Sequence, residues 1–487
     1  MPADAGGMDD GLTAWMKAEM AFASAAILRC VSATDRVMRR TPFGQTVVPK
    51  PGSVVAAPNT DPASGEPDYF FHWIRDSAIV MDALRVLHCR GMCPDARRIL
   101  DAFVSFSLGL SGLDGASLVR QGLSRHTILP DVLKYVRPNE ELENVRGDAV
   151  LGEARFNPDG TLDIIRWSRP QHDGPALRAL VLLRWHRVAD GLGAGVEALV
   201  EQDLAFVERH WREPCYDIWE EESGYHYYTR LVQMEALSAG AEWLDEGGNR
   251  RQAVRCRSAA QALRTQLDRH WSPDRGFYLS RLGTPRTDPD KSLDSSVFLA
   301  VLHAARDGRE HGLRDPRMQA TLRELERLFA SEYAINRSPR EGRALAMGRY
   351  AGDRYVSGGA WYMTTLGAAE FHYSLAERMV SDDALKGSDR GTLLAVDASR
   401  TAKGDDLSPR LTGGSAGPAG ALIARGDGFM RVVRDHTPGS GELSEQFDQS
   451  SGQQTSARNL AWSYAGFITA YDARERAMAA LHEAVQS

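Results

Sequence analysis

The chain has 487 residues, 43% hydrophobic and 25% charged, the balance of a soluble globular protein, which excludes extended disorder and membrane spans. A net charge of -7, with Lys and Arg dispersed among Asp and Glu, leaves no basic stripe for phosphates and excludes nucleic acid as a partner. The five scattered cysteines (Cys30, Cys89, Cys93, Cys215, Cys256) form no disulfide framework, and Cys89 and Cys93 read as helix-end core cysteines rather than metal ligands.

In chain order, the N-terminal stretch carries Asp4, Asp9 and Asp10, and Glu19 precedes the apolar run at 21–28. A secretory signal starts with basic residues, so a cytoplasmic protein is the expectation, with a periplasmic one second. Residues 11–38 place Leu12, Trp15, Met16, Met20, Ala23 and Ile27 at helical steps. A loop rich in Pro, Gly and Asn then ends in Tyr69, Trp73, Arg75 and Asp76. An apolar helix follows at once, and a second returns over roughly 93–109.

That grammar recurs. Trp167, Arg169 and Asp173 lead into the apolar stretch 174–183, and Trp219, Glu220 and Glu221 into 231–244. Residues 290–294 lead into 297–302, the stretch 357–361 with Trp361 into 363–371, and 456–462 with Trp462 into 464–471. Between these junctions lie amphipathic helices at 196–210, 251–270 and 319–333, whereas the helices after the loops are apolar nearly all round, as buried ones are. Strand candidates are confined to 276–279, 345–350 and the 160s. Six helical hairpins, each with one buried and one exposed member, predict an all-α fold, a closed (α/α)6 barrel with the loops on one face.

Such loops can build a site for an extended polar ligand. They carry Tyr69, Trp73, Trp167, Trp219, Trp361 and Trp462 together with Arg75, Asp76, Arg169, Asp173, Glu220, Glu221, Arg349 and Glu445. Aromatic faces stack on sugar rings, while guanidinium and carboxylate groups bond hydroxyls in pairs. The run Glu220, Glu221, Glu222 adds like-charge repulsion, which raises a carboxyl pKa. A carbohydrate pocket is the reading, with the 290–294 junction the one that lacks tryptophan.

Five motifs, YFFHWIRDS (69–77), WSRPQHDGPALR (167–178), YDIWEE (216–221), GRYAGD (348–353) and LSEQFDQSSGQQTSARNLAW (443–462), resemble the catalytic domain of the glucoamylases, glycoside hydrolase family fifteen, most closely the fungal type. The resemblance covers most of the chain in collinear order. It implies an (α/α)6 barrel that releases β-glucose from the non-reducing ends of α-1,4-glucans by inversion, without cofactor or metal. It further implies that Glu220 is the general acid and Glu445 the general base. Arg75, Asp76, Arg349 and Glu221 then bind the sugar, Trp73, Trp167, Trp219, Trp361 and Trp462 form the aromatic wall, and Tyr69 lies near the reacting carbon. Arg169 and Asp173, carried by the same junction loops, join the substrate-binding group. Glu221 and Glu222 are expected to keep Glu220 protonated, and Ser444, Gln446 and backbone donors to keep Glu445 ionised.

Departures from the family pattern fall at His72, Ile74, His172 and Phe447, the last removing a hydroxyl near Glu445. The segment 137–152 is longer than the pattern expects, and 384–428 is weakly patterned. No starch-binding module and no N-terminal β-sandwich is expected, hence one catalytic domain on soluble α-glucans. The alternatives are an α-1,6-preferring glucosidase on the same barrel, another enzyme of that barrel such as a trehalase or phosphorylase, and a toroid that binds sugar without cleaving it. A carboxylate at 445 argues against a phosphorylase, which needs only the acid.

Overall fold

The computed structural model describes residues 10–121, 127–189, 191, 193–283, 290–337, 340–386 and 417–486. Twelve long helices carry the fold among these residues. They are α1 (Asp10–Leu28), α2 (Ile74–Cys89), α3 (Ala96–Ser111), α4 (Asp173–Val188), α5 (Ala194–His210), α6 (Tyr227–Glu246), α7 (Arg250–Asp268), α8 (Ser296–His303), α9 (Pro316–Glu332), α10 (Tyr362–Lys386), α11 (Gly417–His436) and α12 (Ala461–Gln486).

The even-numbered helices close a ring: α2 packs on α4, α4 on α6, α6 on α8, α8 on α10, α10 on α12, and α12 returns to α2. The remaining six lie outside it, each against an inner neighbour. Composition explains the division. In α4 the residues from Asp173 to Leu183 are all buried, whereas α3 buries mainly one face through Leu100, Phe103, Val104, Ser107 and Leu110. Small residues let the inner helices approach. A Cβ on Gly367 would lie 2.6 Å from Leu299 Cδ2, so α8 and α10 pack closely only with glycine there.

Capping sets where several outer helices begin. The Asn249 side chain accepts the Gln252 N–H at the start of α7, and that of Asp315 accepts the Arg317 N–H ahead of Pro316 in α9. Because each outer helix returns the chain, the inner helices all start at one face. Asp76 and Asp173, in the first turns of α2 and α4, complement the positive ends of those two helices.

Short antiparallel pairings stitch the junction loops together. His72–Trp73 pairs with Arg155–Phe156. Ser223–His226 pairs with Cys215–Tyr216 and Arg281–Leu282, and Ser444–Phe447 lies between Ala360–Trp361 and Gln454–Arg458. Of the strand candidates, 276–279 contains Phe277–Tyr278, paired with Trp271–Ser272. The 160s hold only isolated bridges, Leu162 to Phe156 and Ile165 to Val136, and in 345–350 only Tyr350 bridges, to Asp294.

The barrel and its hairpins thus match the sequence expectation, with three corrections. The first helix stops at Leu28, and the chain turns through Ser32 in the left-handed region. Cys89, at the end of α2, is exposed, whereas Cys93 is buried. In the stretch 384–428, residues 387–416 lie outside the described residues, but Gly417 onward forms the outer helix α11. Segment 137–152 folds into two short helices, Asn139–Glu143 and Asp148–Leu151. Arg137 anchors it through ion pairs to Glu141 at 2.7 Å and Glu153 at 2.8 Å.

Candidate active site

Glu220 sits in a turn held by its own neighbours. Its N–H donates to the Asp217 carbonyl at 3.0 Å and its carbonyl accepts the Ser168 hydroxyl. Its φ is +64°, in the left-handed region that non-glycine residues rarely adopt, a strain that clusters at functional sites. The turn directs the carboxylate into a ring of donors. Oε1 accepts Trp73 Nε1 at 2.7 Å, Gln171 Nε2 at 2.8 Å and Arg75 Nη2 at 3.2 Å, and Oε2 accepts Trp167 Nε1 at 2.5 Å. Trp167 is 38% exposed, so the Oε2 edge is the one that faces solvent.

The neighbouring glutamates turn the other way. Glu221 meets Arg349 Nη2 at 3.0 Å, Lys291 Nζ at 2.5 Å and the Tyr350 hydroxyl at 2.5 Å. Burial alone would raise its pKa, but Arg349 and Lys291 hold it below the usual carboxylate range. Glu222 pairs with Arg281 and with Lys291. The expected repulsion among three carboxylates is therefore neutralised by cations, and it is not what surrounds Glu220.

Glu445 lies on the strand Ser444–Phe447 and is 4% exposed. Burial raises its pKa to about 7, against hydrogen bonds that favour the ionised form, chiefly from the Ser456 hydroxyl, with Arg349 and the Tyr69 hydroxyl adding to them. Ser444 is not a donor to it, since its hydroxyl donates to the Gln446 carbonyl at 2.6 Å. The Phe447 ring stacks on His436 at 4.5 Å and meets Tyr362 edge-on at 4.9 Å. Hydroxyls near Glu445 thus come from Ser456 and Tyr69.

Tyr69 packs beside Trp73, the donor to Glu220. Burial raises its pKa well above normal, and the charges of Glu445 and Glu220 act on it in the same direction. Its hydroxyl lies 2.6 Å from that of Tyr355, and its ring meets Trp73 at 5.7 Å.

Arg75 heads the floor of the site. It bonds Gln171 at 2.8 Å and Asp173 at 3.2 Å, stands 3.4 Å from Asp76, and lies 5.9 Å from the Trp462 ring. Burial raises Asp76 to about 6 despite Arg75. Asp173 Oδ1 and Trp361 Nε1 are buried without a hydrogen-bond partner in the chain, and Arg75 Nε and Asp76 Oδ2 have only their 3.4 Å ion pair with each other. Such atoms are costly unless a ligand or water satisfies them.

The opposite wall is Trp219 against Trp361 at 5.4 Å, with the Arg349 guanidinium 5.5 Å and 5.0 Å from their rings. Arg349 is itself gripped by Asp353 at 2.7 and 2.5 Å.

Arg169 stands apart from this group. Its nitrogens are taken by Glu153 at 2.6 Å, Asp163 at 3.0 Å and the Ile165 carbonyl at 3.2 Å, which makes it a strut of the loop that carries Trp167. Sequence reasoning passed over Gln171, Ser168, Lys291, Tyr350, Asp353, Tyr355, Ser456 and Asp294. Gln171 and Ser168 stand inside the WSRPQHDG motif, and Tyr350 and Asp353 inside GRYAGD. Their signal is membership of those two motifs. Among the described residues no group of three or more His, Cys, Asp or Glu is arranged to hold a metal.

A helical barrel whose loops gather buried carboxylates, guanidinium groups and aromatic faces suits a polyhydroxy ligand such as a sugar, and the family it belongs to is one of glycoside hydrolases. The sequence model of "Glycosyl hydrolases family 15" matches residues 41–472, and the chain belongs to that family. It is 28% identical over 457 residues to a glucoamylase of Blastobotrys adeninivorans, covering 87% of this chain and 67% of the relative. To a probable glucoamylase of Schizosaccharomyces pombe it is 29% identical over 442 residues, covering 87% and 85%. The solved glucoamylase of Hormoconis resinae superposes with a TM-score of 0.74 at 26% identity, covering 95% of this chain and 74% of that one. The glucoamylase of Saccharomycopsis fibuligera, at 22% identity and the same TM-score, covers 98% of both and supports the fold.

Proposed function

We propose that the chain is an exo-acting α-glucosidase that releases glucose, with Glu220 as general acid and Glu445 as general base. The observation that supports the roles is that two carboxylates from loops far apart in sequence border one site: Glu220 accepts the Trp73 indole N–H at 2.7 Å, the Trp73 ring packs on Tyr69 at 5.7 Å, and Glu445 accepts the Ser456 hydroxyl on the strand that pairs with Ala360–Trp361. Membership of the family and the glucoamylase relatives carry the substrate class, an α-glucan or malto-oligosaccharide with α-1,4 linkages.

The step balances simply. Glu220 gives a proton to the glycosidic oxygen as the C1–O bond breaks, and the electron pair leaves with that oxygen as an alcohol. Glu445 takes a proton from water, whose oxygen bonds C1 from the opposite face, so α-glucoside becomes β-glucose. Exchange with solvent returns each carboxyl to its starting state. Arg75, Asp76 and Asp173 hold the terminal sugar's hydroxyls, Arg349 helps fix the sugar in the same pocket, Glu221 binds the sugar next to the scissile bond, and Trp73, Trp167, Trp219, Trp361 and Trp462 wall the pocket. One catalytic unit acting on soluble oligosaccharides accounts for these parts.

The free state of all five cysteines, four of them buried, supports a reducing compartment such as the cytoplasm. No helix among the described residues is long and apolar enough to cross a membrane.

Proton NMR of the protein with maltose, maltotriose and isomaltose tests the proposal. β-Glucose appearing first from maltotriose, with maltose cleaved faster than isomaltose, is expected. α-Glucose appearing first would overturn the two-carboxylate assignment.

A further inference from the structure

The junction loop 290–295 carries no tryptophan, yet it meets the acid-bearing turn at several points. Asp294 is 4% exposed, and both its carboxylate oxygens accept the Trp219 indole N–H, at 3.0 Å each. The carboxylate is fixed in turn by the Ser296 backbone N–H, which donates to Oδ1 at 2.6 Å. Asp294 also bridges Tyr350 through the backbone, and Ser295 N–H donates to the Arg349 carbonyl at 2.8 Å.

Trp219 immediately precedes Glu220, whose backbone is left-handed. A strained residue keeps that conformation only where its surroundings over-determine it. Trp73, Gln171, Arg75 and Trp167 fix the carboxylate end of Glu220. At the backbone end the fixed object is the Trp219 ring, packed at a tilt against Trp361 and held at its nitrogen by Asp294. The space between Asp217, Trp219, Lys291 and Asp294 is a cavity of only about 10 Å³, the lower limit for a single water.

We infer that Asp294 is a positioning residue for the general acid, acting through the indole N–H of Trp219 to hold the Glu220 turn in register with the scissile bond. The inference rests on the reading of Glu220 as the acid. Asp294 touches no substrate in this role, so its removal affects proton delivery and leaves sugar binding in place.

The test compares maltose, whose leaving group needs a proton, with α-glucosyl fluoride, whose leaving group needs none. In Asp294→Ala and in the near-isosteric Asp294→Asn, kcat on maltose is expected to fall, by about 10²-fold in the alanine variant, the usual cost of a 1 Å misplacement. KM stays within about threefold, and turnover of the fluoride stays near that of the unaltered enzyme, the uniform-binding terms being untouched. Trp219→Phe removes the N–H through which Asp294 acts, so, whatever the change in this wall residue itself costs, adding Asp294→Asn to it is expected to bring no further fall of kcat on maltose. Equal losses on both substrates in a variant that unfolds normally, no loss on maltose, or losses that multiply in the double variant would each overturn the inference.

Glu220→Gln separates this from failure of the underlying reading. If it too spares the fluoride while the Asp294 variants do not, the positioning role alone falls. If Glu220→Gln loses both substrates equally, the acid assignment falls and the inference with it.

Discussion

Arg349 brings Nη2 to 3.0 Å from Glu221 Oε1, and with Lys291 it draws Glu221 away from its sequence neighbour Glu220. The same guanidinium grips Asp353 and lies against Trp219 and Trp361. Arg349→Met would leave Asp353 buried without its cation, and breaking a buried pair on one side costs about 3–5 kcal/mol. Denaturant unfolding should show a loss of that order, and kcat/KM on maltose should fall with it as Glu221 is released. Unfolding at the unaltered midpoint would refute this account of Arg349.

Glu445 must be ionised to accept a proton from water, and burial holds its pKa at about 7. The acid limb of kcat/KM, which reports the free enzyme, should therefore fall as pH drops below about 7. The Ser456 hydroxyl lowers this pKa, so Ser456→Ala should move the limb to higher pH. A limb that stays in place or moves down would show that another group sets it.

Trp73 donates to Glu220 Oε1 at 2.7 Å. Trp73→Phe keeps an aromatic ring and removes the donor. Hydrogen bonds to charged groups are worth about 1.5–3 kcal/mol, so kcat on maltose should drop by about 10- to 100-fold. Steady-state kinetics on maltose and α-glucosyl fluoride would separate a loss of acid function, confined to maltose, from damage to the pocket.

Stability should vary little with pH between about 4.5 and 6.5, because two sets of buried groups oppose one another there. Burial lowers His72, His270 and His303 to about 3 and His172, His226 and His311 to about 4. These bind protons only on unfolding, so their contribution is present above the unfolded value and lost as pH falls. Burial raises Glu19, Asp217, Asp294, Glu370 and Glu445 to about 7. These release protons on unfolding, so their contribution is present at low pH and lost as pH rises through about 7. Glu370→Gln removes one releasing group. Its stability should then rise with pH more steeply than that of the parent, by up to about 1.4 kcal/mol per pH unit. Urea unfolding at pH 4.5, 5.5 and 6.5 reads the slope, and an unchanged slope would mean that Glu370 is ionised in the native state.

The hairpins, the face on which the loops lie and the stock of carboxylates and aromatics were all legible in the sequence. Helical periodicity and loop chemistry are local properties, set by residues within a turn or two of each other. The outer helix at Gly417 escaped that reading. Its repeated glycines suit close packing rather than propensity, and a Cβ on Gly426 would collide with the ring of Tyr373.

Which of the adjacent glutamates enters the pocket was decided by the tertiary structure. Glu220 and Glu221 are the same residue type in the same turn. They part because Glu220 takes a left-handed φ toward Trp73 and Arg75, while Arg349 and Lys291, from distant loops, attract Glu221. Asp294 gained its part in the same way, from Trp219 of a distant loop, whereas Arg169 and Ser456 met partners within their own loops once those loops had folded. A residue type limits the chemistry a side chain can do, but a carboxylate's proton affinity and aim depend on the burial and charges around it, and those arise from long-range packing.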